Sequence, residues 1–134
     1  MDDLTDIIAN SPVVMLPGTY CVARLRPSSL PSRHFMVAMD SSETTLIARE
    51  EAIGELDAID IRRGYRLIEV RVATPFEGVG FLATVCGAIA EAGLNILVVS
   101  TFSADYILLQ ADEAEAGLDA PRGVGFPIDD GGGG

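Results

Sequence analysis

A connection of only four residues, 102–105, separates two apolar segments and limits the fold more than any other feature of the sequence. The first segment is Leu94–Thr101 and the second is Tyr106–Gln110. So short a connection joins antiparallel strands, because parallel neighbours need a crossover of about a dozen residues. Since segment 94–101 is apolar at nearly every position, we predict a central strand with both faces covered.

A half-buried strand and an amphipathic helix precede this hairpin. The strand is indicated by alternation from Arg66 onward, with Ile68, Val70 and Val72 on the apolar face. The helix is indicated by an apolar stripe at helical spacing, formed by Leu82, Val85, Cys86 and Ile89. Gly93 is placed to end this helix as a left-handed cap, and Gly87 in its interior indicates close packing on a sheet.

A short helix and a brief strand are predicted after the hairpin. The helix spans Asp112–Leu118, kept short by Gly117 and Pro121, and the strand lies within Gly125–Ile128. The order strand, helix, strand, strand, helix, strand predicts an α+β fold of the ferredoxin-like βαββαβ type. Its sheet is antiparallel and its helices lie on one face.

The first half of the chain predicts strands joined by loops. We predict strands at Tyr20–Leu25, 35–39 and 44–48, and a linker with one helical turn over 49–65. The chain then divides into an N-terminal half (1–65), a C-terminal domain (66–128) and a flexible glycine-rich tail (129–134).

Charge and hydropathy limit the partners. Twenty acidic residues against nine arginines, with no lysine, give a formal charge of −11, which repels nucleic acid phosphates and anionic membranes. The chain starts with acidic residues, and no apolar run reaches the ~20 residues that span a bilayer. We therefore expect a cytoplasmic protein that binds neither nucleic acid nor membrane.

The reactive side chains indicate no enzyme. Cys21 and Cys86 lie among apolar residues outside any metal-binding spacing, so we interpret both as reduced, buried thiols. His34 has no nucleophile tied to it by a motif, so a surface or turn position is expected. Acidic residues between 50 and 60 alternate with arginines and indicate a solvated surface rather than a metal site. We predict no catalytic residue, metal or cofactor.

The segment Gly78–Ala83 satisfies the G-x-G-x-x-A form of the dinucleotide-binding fingerprint, but its context disfavours that function. Pro75 and Glu77 precede the glycines, and a hairpin replaces the second crossover helix that a dinucleotide fold requires. Two interpretations stay open. The glycines present N–H groups at a helix N-terminus to one carboxylate, or they only allow the loop to pack tightly.

Three strings of residues resemble ACT domains. They are Gly78–Ala83, Ala92–Ile96 and Ser100–Leu109, the last with the pattern Ser-Thr-aromatic-x-x-Asp-Tyr. Within that family the chain is similar to the subgroup of small tandem ACT-like proteins related to the CASTOR arginine sensor. The N-terminal half resembles the same group more loosely, so the resemblance implies two ACT-like halves with antiparallel sheets.

This resemblance implies a non-catalytic, allosteric regulatory protein that binds a free amino acid or similar small metabolite at an ACT interface. It also implies a homodimer and an unidentified protein partner. The alternative is an oligomerising scaffold without a ligand. The implied ligand-binding residues are Phe76, Glu77, Gly78, Val79 and Gly80 in the strand-to-helix loop, Ser100, Thr101 and Phe102 on the facing strand, and Asp105 as partner of an ammonium or guanidinium group.

Overall fold

The computed structural model describes residues 3–27, 34–55, 57–73 and 80–130, which form two compact units. The first unit comprises residues 1–17 and 66–134, and the second comprises Gly18–Tyr65. The elements, in chain order, are α1 (Leu4–Ala9), β1 (Val13–Met15), β2 (Tyr20–Leu25), β3 (Met36–Met39), β4 (Thr44–Arg49), a 3-10 helix (Glu50–Glu55), β5 (Asp60–Val70), α2 (Phe81–Glu91), β6 (Leu97–Ser100), β7 (Asp105–Gln110), a second 3-10 helix (Ala111–Glu113), α3 (Ala114–Val124) and β8 (Ile128–Asp129).

In the first unit the strands lie in the order β6, β7, β5, β1, β8. From the second half of β5 onward, the elements follow the βαββαβ order, so the predicted ferredoxin-like α+β fold is confirmed. The hairpin prediction is also confirmed, because β6 and β7 pair antiparallel with Ser100 opposite Asp105. The sequence analysis missed α1 and β1. Strand β1 pairs antiparallel with β5 and parallel with β8, so it separates these two strands.

The helices of the first unit cover one face of its sheet. Phe81, Val85 and Ile89 are the buried residues of α2, and they share a cluster with residues of β5, β7 and α3. The rings of Phe81 and Phe126 meet edge to face with centroids 5.5 Å apart. The predicted stripe was therefore partly wrong. Leu82 and Cys86 lie half-buried at its flank, and Phe81 takes the buried position one turn before Val85.

Strand β6 is an edge strand, and the prediction of a central strand was wrong. Among the described residues it pairs only with β7, and Leu97 and Val98 are 36% and 38% exposed. A run of apolar residues reflects cover on the two faces of a sheet, and it does not show whether strands pair with both edges of the segment. Here the chain turns directly from β6 into β7, and no described strand pairs with the other side of β6.

The predictions made for Gly87 and Pro121 were also wrong. Nothing lies within 4 Å of a Cβ added at Gly87, so this glycine does not mark close packing. Helix α3 continues through Gly117 to Val124 with Pro121 inside it, although an interior proline removes one N–H donor and disfavours a helix; Pro121 is buried. Gly93 and Gly125 have φ of 81° and 114°, the left-handed conformation that glycine adopts where helices end.

The second unit is an antiparallel sheet in the order β3, β4, β2, β5. The predicted strands at 20–25, 35–39 and 44–48 are present within about one residue of their predicted bounds. The linker prediction failed from Asp60 onward, where β5 begins. An ion pair between Arg24 and Asp60 joins β2 to β5. The register of the two strands shifts between Tyr20 and Val22 of β2, and this irregularity interrupts the alternation of residues in β5 that would have indicated a strand.

Candidate functional site

The predicted strand-to-helix loop is described only at its end. Phe76, Glu77, Gly78 and Val79 lie outside the described residues, and Gly80 is the first residue described after them. Gly80 is the N-cap of α2 with φ of 81° and makes no side-chain capping hydrogen bond. Its carbonyl accepts hydrogen bonds from the Thr84 N–H at 2.9 Å and the Thr84 hydroxyl at 2.8 Å.

The N-terminus of α2 therefore suits an anion. The first N–H groups of a helix have no intrahelical acceptor, and the helix dipole adds partial positive charge there. Glycine supplies no oxygen to these donors, and α2 carries no acidic residue in its first turn. A ligand carboxylate can accept hydrogen bonds from them, and the missing side chain at Gly80 allows a close approach.

The hairpin between β6 and β7 brings Ser100 and Asp105 together. They are directly opposite in the strand register, and the Ser100 hydroxyl donates to Asp105 Oδ1 at 2.6 Å. Thr101 closes the turn, because its N–H donates to the Ala104 carbonyl at 2.9 Å and its hydroxyl lies 3.3 Å from the same oxygen. Phe102 is at the tip and is 82% exposed. Ser100 and Asp105 thus form a polar pair, and Phe102 projects into solvent.

Asp105 keeps acceptor capacity for a cation. Its Oδ2 has no hydrogen-bond or ion-pair partner among the described residues. Burial and then the negative charge of Asp105 raise the pKa of the Cys86 thiol in α2. A half-buried carboxylate held by a serine hydroxyl is a suitable partner for an ammonium or guanidinium group.

The sequence analysis missed a polar network on the same sheet. The Tyr106 hydroxyl donates to Glu69 Oε2 at 2.9 Å, and Arg71 Nε donates to Glu69 Oε1 at 2.6 Å. Burial and then the hydrogen bond to Glu69 raise the pKa of Tyr106. The spacing of Glu69 and Arg71 by two residues on a strand was a usable signal, because it places both on one face.

The two cysteines and the histidine differ in how far they are buried. Cys21 is fully buried, as predicted, and burial raises the pKa of its thiol. Cys86 is only half-buried, which corrects the prediction of two buried thiols, and both cysteines are free. His34 is exposed, as predicted. Within the described ranges, no three His, Cys, Asp or Glu residues cluster as a metal site would require, and no helix is long and apolar enough to span a membrane.

Comparison with known proteins places this geometry in a structural class. The family model of the ACT domain matches residues 60–120, from the start of β5 into α3. None of the curated proteins compared with the chain matches it. A crystal structure of a protein from Agobacterium tumefaciens is similar over 88% of this chain and 91% of its own, with 22% identity and a TM-score of 0.75.

Two further solved structures share the architecture. A Vibrio cholerae protein of unknown function, described as a possible transport protein, covers 92% of this chain and 96% of its own, with 19% identity and a TM-score of 0.75. The regulatory subunit of aspartate kinase from Thermus flavus covers 84% and 95%, with 12% identity and a TM-score of 0.63. The protein therefore has an ACT-like fold, and its ACT domain match contains Gly80, Ser100 and Asp105.

Proposed function

We propose that the protein is a non-catalytic regulatory protein that binds a free amino acid or a similar small metabolite through its first unit. The observation that carries this proposal is the hydrogen-bonded Ser100–Asp105 pair, and it is supported by α2, which starts at a glycine without a side-chain cap. The ACT domain match and the likeness to an aspartate kinase regulatory subunit support it.

Each end of the ligand has a defined partner in this proposal. Oδ2 of Asp105 binds the ammonium or guanidinium group of the ligand. The Ser100 hydroxyl holds the Asp105 side chain in place by donating to its Oδ1. The N–H groups at the start of α2 bind the ligand carboxylate, together with the preceding loop residues Phe76, Glu77, Gly78 and Val79. A zwitterion bound this way brings no net charge into the site.

The same proposal includes a cytoplasmic homodimer that assembles along β6. This edge strand leaves backbone N–H and C=O groups for another strand and exposes Leu97 and Val98. Phe102 at the adjoining hairpin tip is 82% exposed, which suits a contact with a second copy or its ligand. Membership of the CASTOR-related subgroup and an ACT-like nature of the second unit belong to this proposal as well.

A thermal-shift screen against the twenty amino acids tests the ligand. A ligand that binds only the folded state raises the melting temperature by mass action, so at least one amino acid at millimolar concentration should do so. Asp105→Asn keeps an oxygen for the Ser100 hydroxyl but loses the charge. Loss of a hydrogen bond to a charged group costs about 1.5–3 kcal/mol, so affinity should fall about 10- to 150-fold.

Asp112→Asn is the matched control, because Asp112 is an exposed aspartate of the same unit that lies past the opposite end of β7 from Asp105. It should leave the affinity unchanged. If Asp105→Asn also binds the ligand as tightly as the wild type, Asp105 serves only the hairpin turn, where aspartate is common.

The alternative function is a scaffold whose ACT-like fold assembles without a ligand. The apolar edge of β6 favours it, because such an edge promotes association by itself. Under this alternative, the amino acid screen is flat, whereas Val98→Lys converts the dimer to a monomer in light-scattering measurements. A positive screen in the wild type excludes it.

A further inference from the structure

A cleft of about 400 Å³ lies in the second unit, and its lining includes none of the residues that the sequence analysis assigned to a ligand. It is bounded by the start of β2, the end of β4 and the 3-10 helix that follows β4. Its volume falls within the range of ordinary small-molecule sites, about 300–1,000 Å³. The side chains that line it determine what it can bind.

Arg49 is the cationic group of this cleft. It lies opposite Tyr20 in the strand register, and its guanidinium rests on Gly18, where an added Cβ would be 3.2 Å from Nε and 3.3 Å from Cζ. A side chain at position 18 would therefore require the guanidinium to shift by a few tenths of an ångström. Within the described part of the chain, the Arg49 guanidinium has no hydrogen-bond or ion-pair partner. Packing on Gly18 holds this cation in place, and its donors stay available for a carboxylate.

Glu51 is the anionic group. The preceding residue, Glu50, is already engaged, because the Gly64 N–H donates to its Oε1 at 2.8 Å. Glu51 has no such partner among the described residues, and it lines both the main cleft and a smaller one of about 230 Å³ beside Arg49. The cleft thus offers one carboxylate that no described group neutralises.

The rest of the cleft wall is mostly aromatic and aliphatic, and the exposed His34 is its one further polar side chain among the described residues. The rings of Tyr20 and Phe35 meet edge to face with centroids 6.2 Å apart, and Ala48 and Ala52 are buried beside them. Aromatic and small aliphatic groups favour an apolar or aromatic ligand group of modest size. One cation, one anion and an aromatic wall together complement a carboxylate, an ammonium and an apolar side chain.

From this arrangement we propose that the second unit carries its own binding site for an α-amino acid with an apolar or aromatic side chain. Arg49 binds the carboxylate, Glu51 binds the ammonium group, and Tyr20 and Phe35 contact the side chain. The site lies wholly within residues 18–65 and shares no residue with the Asp105 site, so it does not depend on the function proposed above.

An NMR titration of the full-length, ¹⁵N-labelled protein with L-phenylalanine tests this site. Saturable shifts are expected in the amide signals of residues 18–20 and 48–52. Two analogues dissect the recognition, since 3-phenylpropionate lacks the ammonium group and phenethylamine lacks the carboxylate. Each analogue should bind at least about tenfold more weakly than L-phenylalanine, because Glu51 or Arg49 is then left without its charged hydrogen-bond partner.

Arg49→Gln and Glu51→Gln should each weaken L-phenylalanine by about tenfold or more, and their unaltered melting temperatures would show that the exposed substitutions leave the fold intact. Arg26→Gln, at an exposed arginine of the same unit that does not line the cleft, should bind like the wild type.

Three results would overturn the proposal: no shifts at 18–20 and 48–52, shifts that persist in both cleft variants, or 3-phenylpropionate binding as tightly as the amino acid. Asp105→Asn separates this site from the function proposed for the first unit. It should leave the shifts at 48–52 unchanged. Shifts confined to residues 80–105 and lost in Asp105→Asn would support the first-unit site and refute this one.

Discussion

Two helix glycines of the first unit should respond in opposite ways to substitution by alanine. Gly117 in α3 is buried, and a Cβ added there would lie 2.6 Å from Leu109 Cδ1 and 3.3 Å from Cδ2. Gly87 in α2 is exposed and has nothing within 4 Å of an added Cβ. Both helices contain eleven residues. The two variants therefore compare the same substitution, glycine to alanine, at a tightly packed position and at an exposed one.

The magnitudes follow from packing and helix propensity. Carbon atoms in contact normally lie about 3.5–4.0 Å apart, so the methyl group at 117 overlaps Leu109 by about 1 Å. Leu109 is fully buried and has little room to move. Overpacking costs about 1–3 kcal/mol, and this overlap with a fully buried side chain belongs in the upper part of that range, at about 2–3 kcal/mol. Alanine returns about 1 kcal/mol through propensity. We expect Gly117→Ala to lower the free energy of unfolding by about 1–2 kcal/mol and Gly87→Ala to raise it by about 0.5–1 kcal/mol.

Urea unfolding followed by circular dichroism measures both changes as shifts of the midpoint at an unchanged m-value. Leu109→Val removes the clashing Cδ1, so in that background Gly117→Ala should no longer destabilise, and the double-mutant cycle should show strong coupling. A Gly117→Ala protein as stable as the wild type, or a cost that persists with Val at 109, would refute the close contact.

Three polar groups give further predictions. Ser11 is fully buried; its hydroxyl donates to the Ile7 carbonyl at 2.6 Å and accepts from the Ala73 N–H at 2.9 Å. Ser11→Ala should therefore lower the free energy of unfolding by about 1–2 kcal/mol in urea titrations. The control Ser103→Ala, at an exposed serine, should lower it by less than about 0.5 kcal/mol. The N–H groups of Ser42 and Glu43 lower the pKa of Asp40. Its stabilisation is present above the ordinary aspartate pKa of about 4 and is lost as the pH falls through the lower folded-state pKa, so Asp40→Ala should flatten the acid limb of the stability–pH curve. Tyr106→Phe should remove a tyrosine that titrates above the ordinary pKa of about 10 in ultraviolet titrations, because burial and then Glu69 raise that pKa.

Local patterns predicted the elements of the first unit from β5 onward, but they missed α1 and β1 and did not predict what lies beside each element. The four-residue connection predicted the β6–β7 hairpin correctly, because its length alone excludes a parallel pair. Whether β6 is a central or an edge strand depends on whether another strand pairs with its second edge, and the sequence of β6 does not indicate this. Gly87 was assigned close packing for a similar reason, since propensity shows that a glycine is costly and not what lies beside it.

The two candidate sites differ in how far the sequence could predict them. Ser100 and Asp105 are five residues apart in one hairpin, so a local string was enough to nominate both. Tyr20, Phe35 and Arg49 come from separate segments of the second unit, and only the strand pairing and the ring contact bring them to one cleft. No spacing in the sequence encodes that neighbourhood.

The division of charge between the units gives the two sites different preferences. The first unit holds thirteen acidic residues and three arginines, a formal charge of −10, whereas the second holds seven acidic residues and six arginines, a formal charge of −1. Within a Debye length of about 8–10 Å, the field of the first unit attracts the cationic end of a ligand and opposes its carboxylate. In the proposed function, Asp105 therefore supplies the affinity, and the start of α2 offsets the cost of the ligand carboxylate. The second unit imposes almost no such penalty, so Arg49 on Gly18 can select a ligand by its carboxylate.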